Sequence, residues 1–133
     1  MNFFRAKISR LLINYFKNDD KRIEHAFRVL YHSENIMKNY DEYDEDIVIA
    51  SALLHDIGIK ISEERFGYNN GKTQEKIGPD VAEQLLKSIN FPQEKIIKVK
   101  EIIGNHHSPS RYPYPELEIL KKADKIVNTV EKI

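Results

Sequence analysis

The side chains in this sequence that could hold a metal ion or move a proton fall in only a few places. His55 and Asp56 are adjacent in SALLHDIGIK, at the end of an otherwise apolar stretch. His25 lies in RIEHAFRVLYHSENI on the helical stripe of Val29 and Ile36, and Asp124 lies in LKKADKIVNTV among Leu120, Ala123 and Val127. Burying a polar group without a partner costs several kcal/mol, so the pair at 55–56 is satisfied either mutually or by something bound. Taken alone, a His–Asp pair ordinarily ties down a helix end, and a single His or Asp is ordinarily a satisfied core residue or a solvated one. Three separate helices aiming such groups inward is a different pattern. Two imidazoles and two carboxylates form a mixed nitrogen and oxygen set suited to manganese, iron, cobalt, nickel or zinc. There is no cysteine, which excludes a thiolate metal site, a disulfide framework and a cysteine nucleophile.

The elements that must position these groups read as helical nearly throughout, with no sustained alternation of apolar and polar residues. Phe4, Ile8, Leu11, Leu12 and Tyr15 predict an amphipathic helix over 2–17; Arg5, Lys7 and Arg10 interrupt it too often for a signal peptide or a membrane span. Asn18 and Asp19 offer caps for a second helix running to about Lys38. A third starts near Asp44 and stops around Gly58. The stretch Ser62–Thr73, rich in Gly and Asn, reads as a loop. A fourth helix is expected from Gly78-Pro79, a fifth after Phe91-Pro92, and a last one from about Glu116, after a connector made rigid by Pro109, Pro113 and Pro115. The expectation is a single all-α domain over 1–133, a compact bundle of about six helices. GYNNGKTQ, Gly67–Gln74, imitates a phosphate-binding loop, but its spacing is one residue short and no strand precedes it.

The order His25, then His55-Asp56, then Asp124 resembles the H…HD…D signature of the HD superfamily of metal-dependent phosphohydrolases. Arg22 three residues before the first His, the ALLHDIG string and the ADKIVN helix carry the likeness further, over residues 20–130. The resemblance implies a divalent metal held by His25, His55, Asp56 and Asp124, whose bound water, lowered in pKa, attacks a phosphorus centre. It also implies a small phosphorylated substrate, a phosphomonoester or phosphoanhydride of a nucleotide or related metabolite. Arg22, one helical turn before His25 on the same face, is the first candidate for a phosphate clamp. Lys60, Lys72 and Arg111 are weaker candidates, with a solvated charge as the plain reading of each.

His106 follows Ile102 and Ile103 at helical spacing, so it is expected to point inward. It resembles the extra histidine of superfamily members that hold two metals, with His107 as its substitute. The other extra ligand in such members often precedes a Gly-Pro pair, and here Ile77 stands in that place. One firmly held metal is therefore expected, with His106 contacting substrate, water or a weaker second ion, and Glu75 as a partial replacement ligand. Asp56, Arg22 and His106 are the expected catalytic groups, and His32 a structural one. Ile57, Gly58 and Ile59 stand where the mononuclear deoxynucleotidase branch carries a glutamate, which weakens transfer of that branch's substrate.

The alternative reading is a non-catalytic HD-type module that binds metal or nucleotide and signals by conformation; retention of the whole minimal ligand set favours the enzyme. The 21 basic and 21 acidic residues cancel, which argues against nucleic acid and anionic membrane as partners, although Tyr112 and Tyr114 beside Arg111 could stack on a base. A cytoplasmic location is expected, and the short last helix leaves room for a homodimer.

Overall fold

The protein is described by a computed structural model covering residues 2–131. Among these residues the chain forms seven helices and no strand: α1 (Phe4–Phe16), α2 (Asp20–Met37), α3 (Glu45–Leu54), α4 (Ile59–Phe66), α5 (Gly71–Lys87), α6 (Gln93–Ile103) and α7 (Pro115–Glu131). Helix α3 has no polar face to offer water, and every residue from Ile47 to Leu54 is buried. A helix that is apolar all round must be enclosed, and α1, α2, α6 and α7 enclose it. Helix α1 contributes Phe4, Ile8, Leu12 and Phe16, a stripe at i, i+4 spacing that is buried against this core. Its apolar face is thus spent inside the fold, and none of the described helices is long and apolar enough to cross a membrane.

Helices α2 and α7 lie antiparallel. His25 near the start of α2 meets Glu131 at the end of α7, and Tyr40 just past α2 meets Lys122 in its first half. The entries of α2 and α3 are held by the carboxylates of Asp19 and Asp44, which accept from the backbone N–H groups of Arg22 and Ile47. These caps fix where the two helices begin, and hence the height of His25 and His55 along them.

The segment 62–73 departs from the expected loop. It contains the second half of α4 and the first turn of α5, leaving only residues 67–70 irregular. Helix α4 buries only Ile59 and Ser62, too few positions to print a periodic signal. It ends at Gly67, whose φ of 76° is the left-handed cap conformation open to glycine. Helix α5 is then started by a reciprocal pair: the Asn70 side chain accepts from the Thr73 N–H, and the Thr73 hydroxyl accepts from the Asn70 N–H. The expected start at Gly78-Pro79 is therefore corrected to Gly71, and Pro79 lies inside α5. Gly78 is present for packing: a Cβ on it would come within 2.9 Å of Ile103 Cγ2, and one on Gly58 within 2.7 Å of the Gly78 nitrogen. Gly58 is more than a helix stop, since it lets the corner after α3 touch the backbone of α5.

Candidate metal centre

His25 from α2, His55 and Asp56 from the turn closing α3, and Asp124 from α7 come together in the fold. The His25 Nε2 and His55 Nε2 atoms are 3.3 Å apart. Each also lies 3.3 Å from Asp56 Oδ2 and 3.3–3.4 Å from Asp124 Oδ1. His55 is fully buried and His25 nearly so.

The far side of each ring decides what the near side offers. His55 Nδ1 donates to the Ala52 carbonyl at 2.7 Å, and His25 Nδ1 donates to Glu131 Oε1 at 2.9 Å. Acceptors at both Nδ1 positions put the protons there, so in the neutral rings both Nε2 atoms are bare lone pairs. Two lone-pair nitrogens and two carboxylate oxygens thus converge. Asp124 Oδ1, though close to both nitrogens, has no aligned hydrogen bond among the described residues. Such an orphan is costly in a buried site, and a cation would satisfy it. Atoms bound about 2.0–2.2 Å from one ion stand roughly 3.0–3.5 Å apart when adjacent, and the observed separations fall in that range. The residues fit a divalent metal.

Electrostatics point the same way. Burial opposes charge on Asp56, but His55, with smaller help from His106 and His25, holds its carboxyl down at about 2. Asp124 is likewise burdened by burial and held far below the usual range by His25 and His55. His55 loses charge stability to burial, yet Asp56 and Asp124 raise it well above an ordinary imidazole, and His25 is raised for the same reasons. Protons and a metal ion would compete for the same nitrogens.

His106 and His107 behave differently from one another. His106 Nδ1 donates to the Ile103 carbonyl at 2.6 Å, so its Nε2 is a third bare nitrogen; it is buried, has no hydrogen-bond partner among the described residues, and lies 3.9 Å from Asp56 Oδ1. Burial first, then the proximity of the His55 and His107 imidazoles, pushes its pKa down to about 3, which keeps it neutral. With His107 and Asp56 it forms a second group close enough to share an ion. His107, however, is held by its other nitrogen. The Glu63 carboxylate can only accept, so Asn69 Nδ2 donates to it; Asn69 Oδ1 accepts from Gln74 Nε2; and Gln74 Oε1 accepts from His107 Nε2. Along this chain the proton of His107 sits on Nε2. Glu75 is not free to act as a ligand: its two oxygens accept from the His107 N–H and the Ser108 hydroxyl, pinning the connector after α6.

The cluster opens into a cleft of about 280 Å³, bordered by Lys21 and Arg22 from α2, Asn69 and Gln74 around the start of α5, His107, and Asn128 and Glu131 from α7. Arg22 is at this mouth, with only loose contacts at 3.8 Å to Asp19 and Glu63. Three other cations expected near substrate do not border the cleft. The Lys60 ammonium lies over the Tyr15 ring at 5.6 Å, Lys72 points to solvent, and Arg111 donates to the Gly104 carbonyl. His32 packs edge-on against Tyr31, outside the cleft. Lys21, Asn69, Gln74, Asn128 and Glu131 escaped sequence reading. Spacing alone marks two of them, since Asn128 and Glu131 follow Asp124 by four and seven residues on one helical face.

Comparison with known proteins agrees with this geometry. The family model described as the HD domain matches residues 22–129. A crystal structure of a predicted HD superfamily hydrolase from an uncultured Thermotogales bacterium superposes with a TM-score of 0.70 at 26% identity, covering 96% of this chain and 74% of that one. None of the curated proteins matches the chain.

Proposed function

The chain belongs to the HD-domain family, and from that premise we propose that it is a metal-dependent phosphohydrolase acting on a phosphomonoester or phosphoanhydride, a nucleotide or related small metabolite. The observation that carries this reading is the convergence of His25 Nε2, His55 Nε2, Asp56 Oδ2 and Asp124 Oδ1, with an orphaned carboxylate oxygen among them. A divalent transition metal held by these four residues would supply Lewis acidity toward a phosphoryl oxygen and lower the pKa of water.

The rest of the work falls to the chain itself. Arg22, 28% exposed and only loosely engaged, is free to exchange its carboxylate contacts for phosphate oxygens, which a guanidinium binds through two parallel donors. Lys21 adds charge at the same rim. The bare Nε2 of His106 offers a buried acceptor beside Asp56, suited to orient a water or a substrate hydroxyl rather than to take its proton outright, because the ring resists protonation. The Glu63–Asn69–Gln74 chain holds His107 at the other border of the cleft.

Elemental analysis of the purified protein beside His55→Ala, followed by hydrolysis of p-nitrophenyl phosphate and a nucleotide panel with the metal found, tests this reading. Near-stoichiometric metal, lost in the variant, and phosphate release that needs it are expected. Stoichiometric metal in His55→Ala would sink the site assignment. Metal without hydrolysis of any ester or anhydride would leave a binding module.

A further inference from the structure

We propose that Glu131 is a positioning residue of the metal centre, which sets the affinity of the four-residue cluster through His25 and couples its occupation to the docking of the last turn of α7. The proposal rests on the metal reading above. It starts from one contact: Glu131 Oε1 accepts from His25 Nδ1 at 2.9 Å across 106 residues of sequence. A carboxylate only accepts, so this bond admits one orientation of the proton and places the free lone pair on Nε2, facing His55, Asp56 and Asp124. It also fixes the ring about its Cβ–Cγ axis and makes the imidazole a more basic donor, the role that carboxylates behind ligating histidines commonly fill.

His25 needs such support more than His55 does. The His55 ring is fully buried and its Nδ1 is tied to a carbonyl of its own helix, three residues back. The orientation of His55 is therefore settled within α3, whereas that of His25 is settled only when α7 is in place. Arg28, on the same face of α2, reaches the other oxygen of Glu131 at 3.4 Å while also pairing with Glu24. Glu131 is thus held between two side chains of α2, one of them a candidate ligand. Because Asp124 lies seven residues earlier on α7, the helix touches the cluster twice, once directly and once through His25. Anything that makes a correctly turned His25 more valuable, such as a bound ion, must by linkage favour the docked turn by the same free energy.

The experiment uses cobalt(II), whose binding is read from its visible absorption, with amide hydrogen exchange of residues 125–131 followed with and without the ion. Wild-type protein is expected to bind cobalt and to slow exchange in this segment on binding. Glu131→Ala is expected to bind it about 10- to 100-fold more weakly and to lose that slowing, and Glu131→Gln, which keeps an acceptor oxygen without the charge, to recover part of both. Arg28→Ala leaves the His25–Glu131 bond intact and is expected to bind cobalt within a few-fold of wild type. A merely structural Glu131 would lower the melting temperature of metal-free and cobalt-loaded protein equally and leave the dissociation constant unchanged, which would overturn the proposal. If wild-type protein failed to bind cobalt at all, the metal reading and this proposal would fall together. If Glu131→Ala bound it as tightly as wild type, only this one would fall.

Discussion

Two regions meet at the cleft, and they are built by different physics. On one side, His25 and Asp124 stand on the patterned helices α2 and α7, and His55 and Asp56 stand in the turn that closes the buried α3. On the other, α4, the 67–70 corner, the first turn of α5 and the connector after α6 form a rim held by side-chain hydrogen bonds: Ser62 to Thr73, Asn69 to Glu63 and Gln74, Gln74 to His107, Glu75 to Ser108. The first region fixes its groups by apolar packing, which tolerates little displacement. The second fixes them by polar contacts, each worth about 0.5–1.5 kcal/mol net. On the proposed function the first region would hold the metal, while the second, together with Arg22 from the first turn of α2, would shape the substrate site, and substitutions in each separate the two.

The largest effect is expected on the packed side. Asp124→Ala, like His55→Ala, should abolish tight metal binding and lower metal-dependent hydrolysis by about a thousandfold or more, since the metal's share of transition-state stabilisation is several kcal/mol. Metal content and turnover of the same preparation check this. Arg22→Ala comes next: it should keep its metal while kcat/KM falls about 10- to 100-fold, the worth of charge-assisted hydrogen bonds to phosphate. Comparable metal loss in that variant would erase the division between holding and clamping.

Gly58→Ala probes the seam between the regions. Its Cβ would press on the backbone of Gly78, which cannot give way as a flexible side chain would, so denaturant unfolding should show a loss of about 1–3 kcal/mol. Metal binding should weaken with it, because Asp56 stands two residues before Gly58 in the same turn. The smallest effect belongs to Gln74→Leu. Removing the link between Asn69 and His107 should shift KM a few-fold with metal affinity unchanged. An effect on metal as large as that of His55→Ala would mean that the rim, too, belongs to the metal site.

Much of the packed side was legible before any coordinates. His25 shares a stripe with Val29, and Asp124 stands among Leu120, Ala123 and Val127, so helical periodicity placed each on an inward face. Caps at Asp19 and Asp44 set the entries of α2 and α3. The rim was not legible in the same way. Helix α4 has two buried positions and no pattern to find, and Asn70 with Thr73 starts α5 at Gly71, seven residues before the Gly-Pro pair that looked like its beginning. Glu75 offered ligand chemistry by type, but the connector's N–H and hydroxyl groups already occupy both of its oxygens.

The sequence by itself determined which helices exist on the packed side, which residues face inward and which donor atoms are available, because i, i+3 and i+4 spacing is a property of a single helix. Only the tertiary structure decided which ring nitrogen carries the proton, which cations reach the cleft and which carboxylate supports His25. Those outcomes depend on the angle and height at which separate helices cross, so that Glu131 meets His25 while Lys60 lies over Tyr15, and no local spacing encodes either meeting.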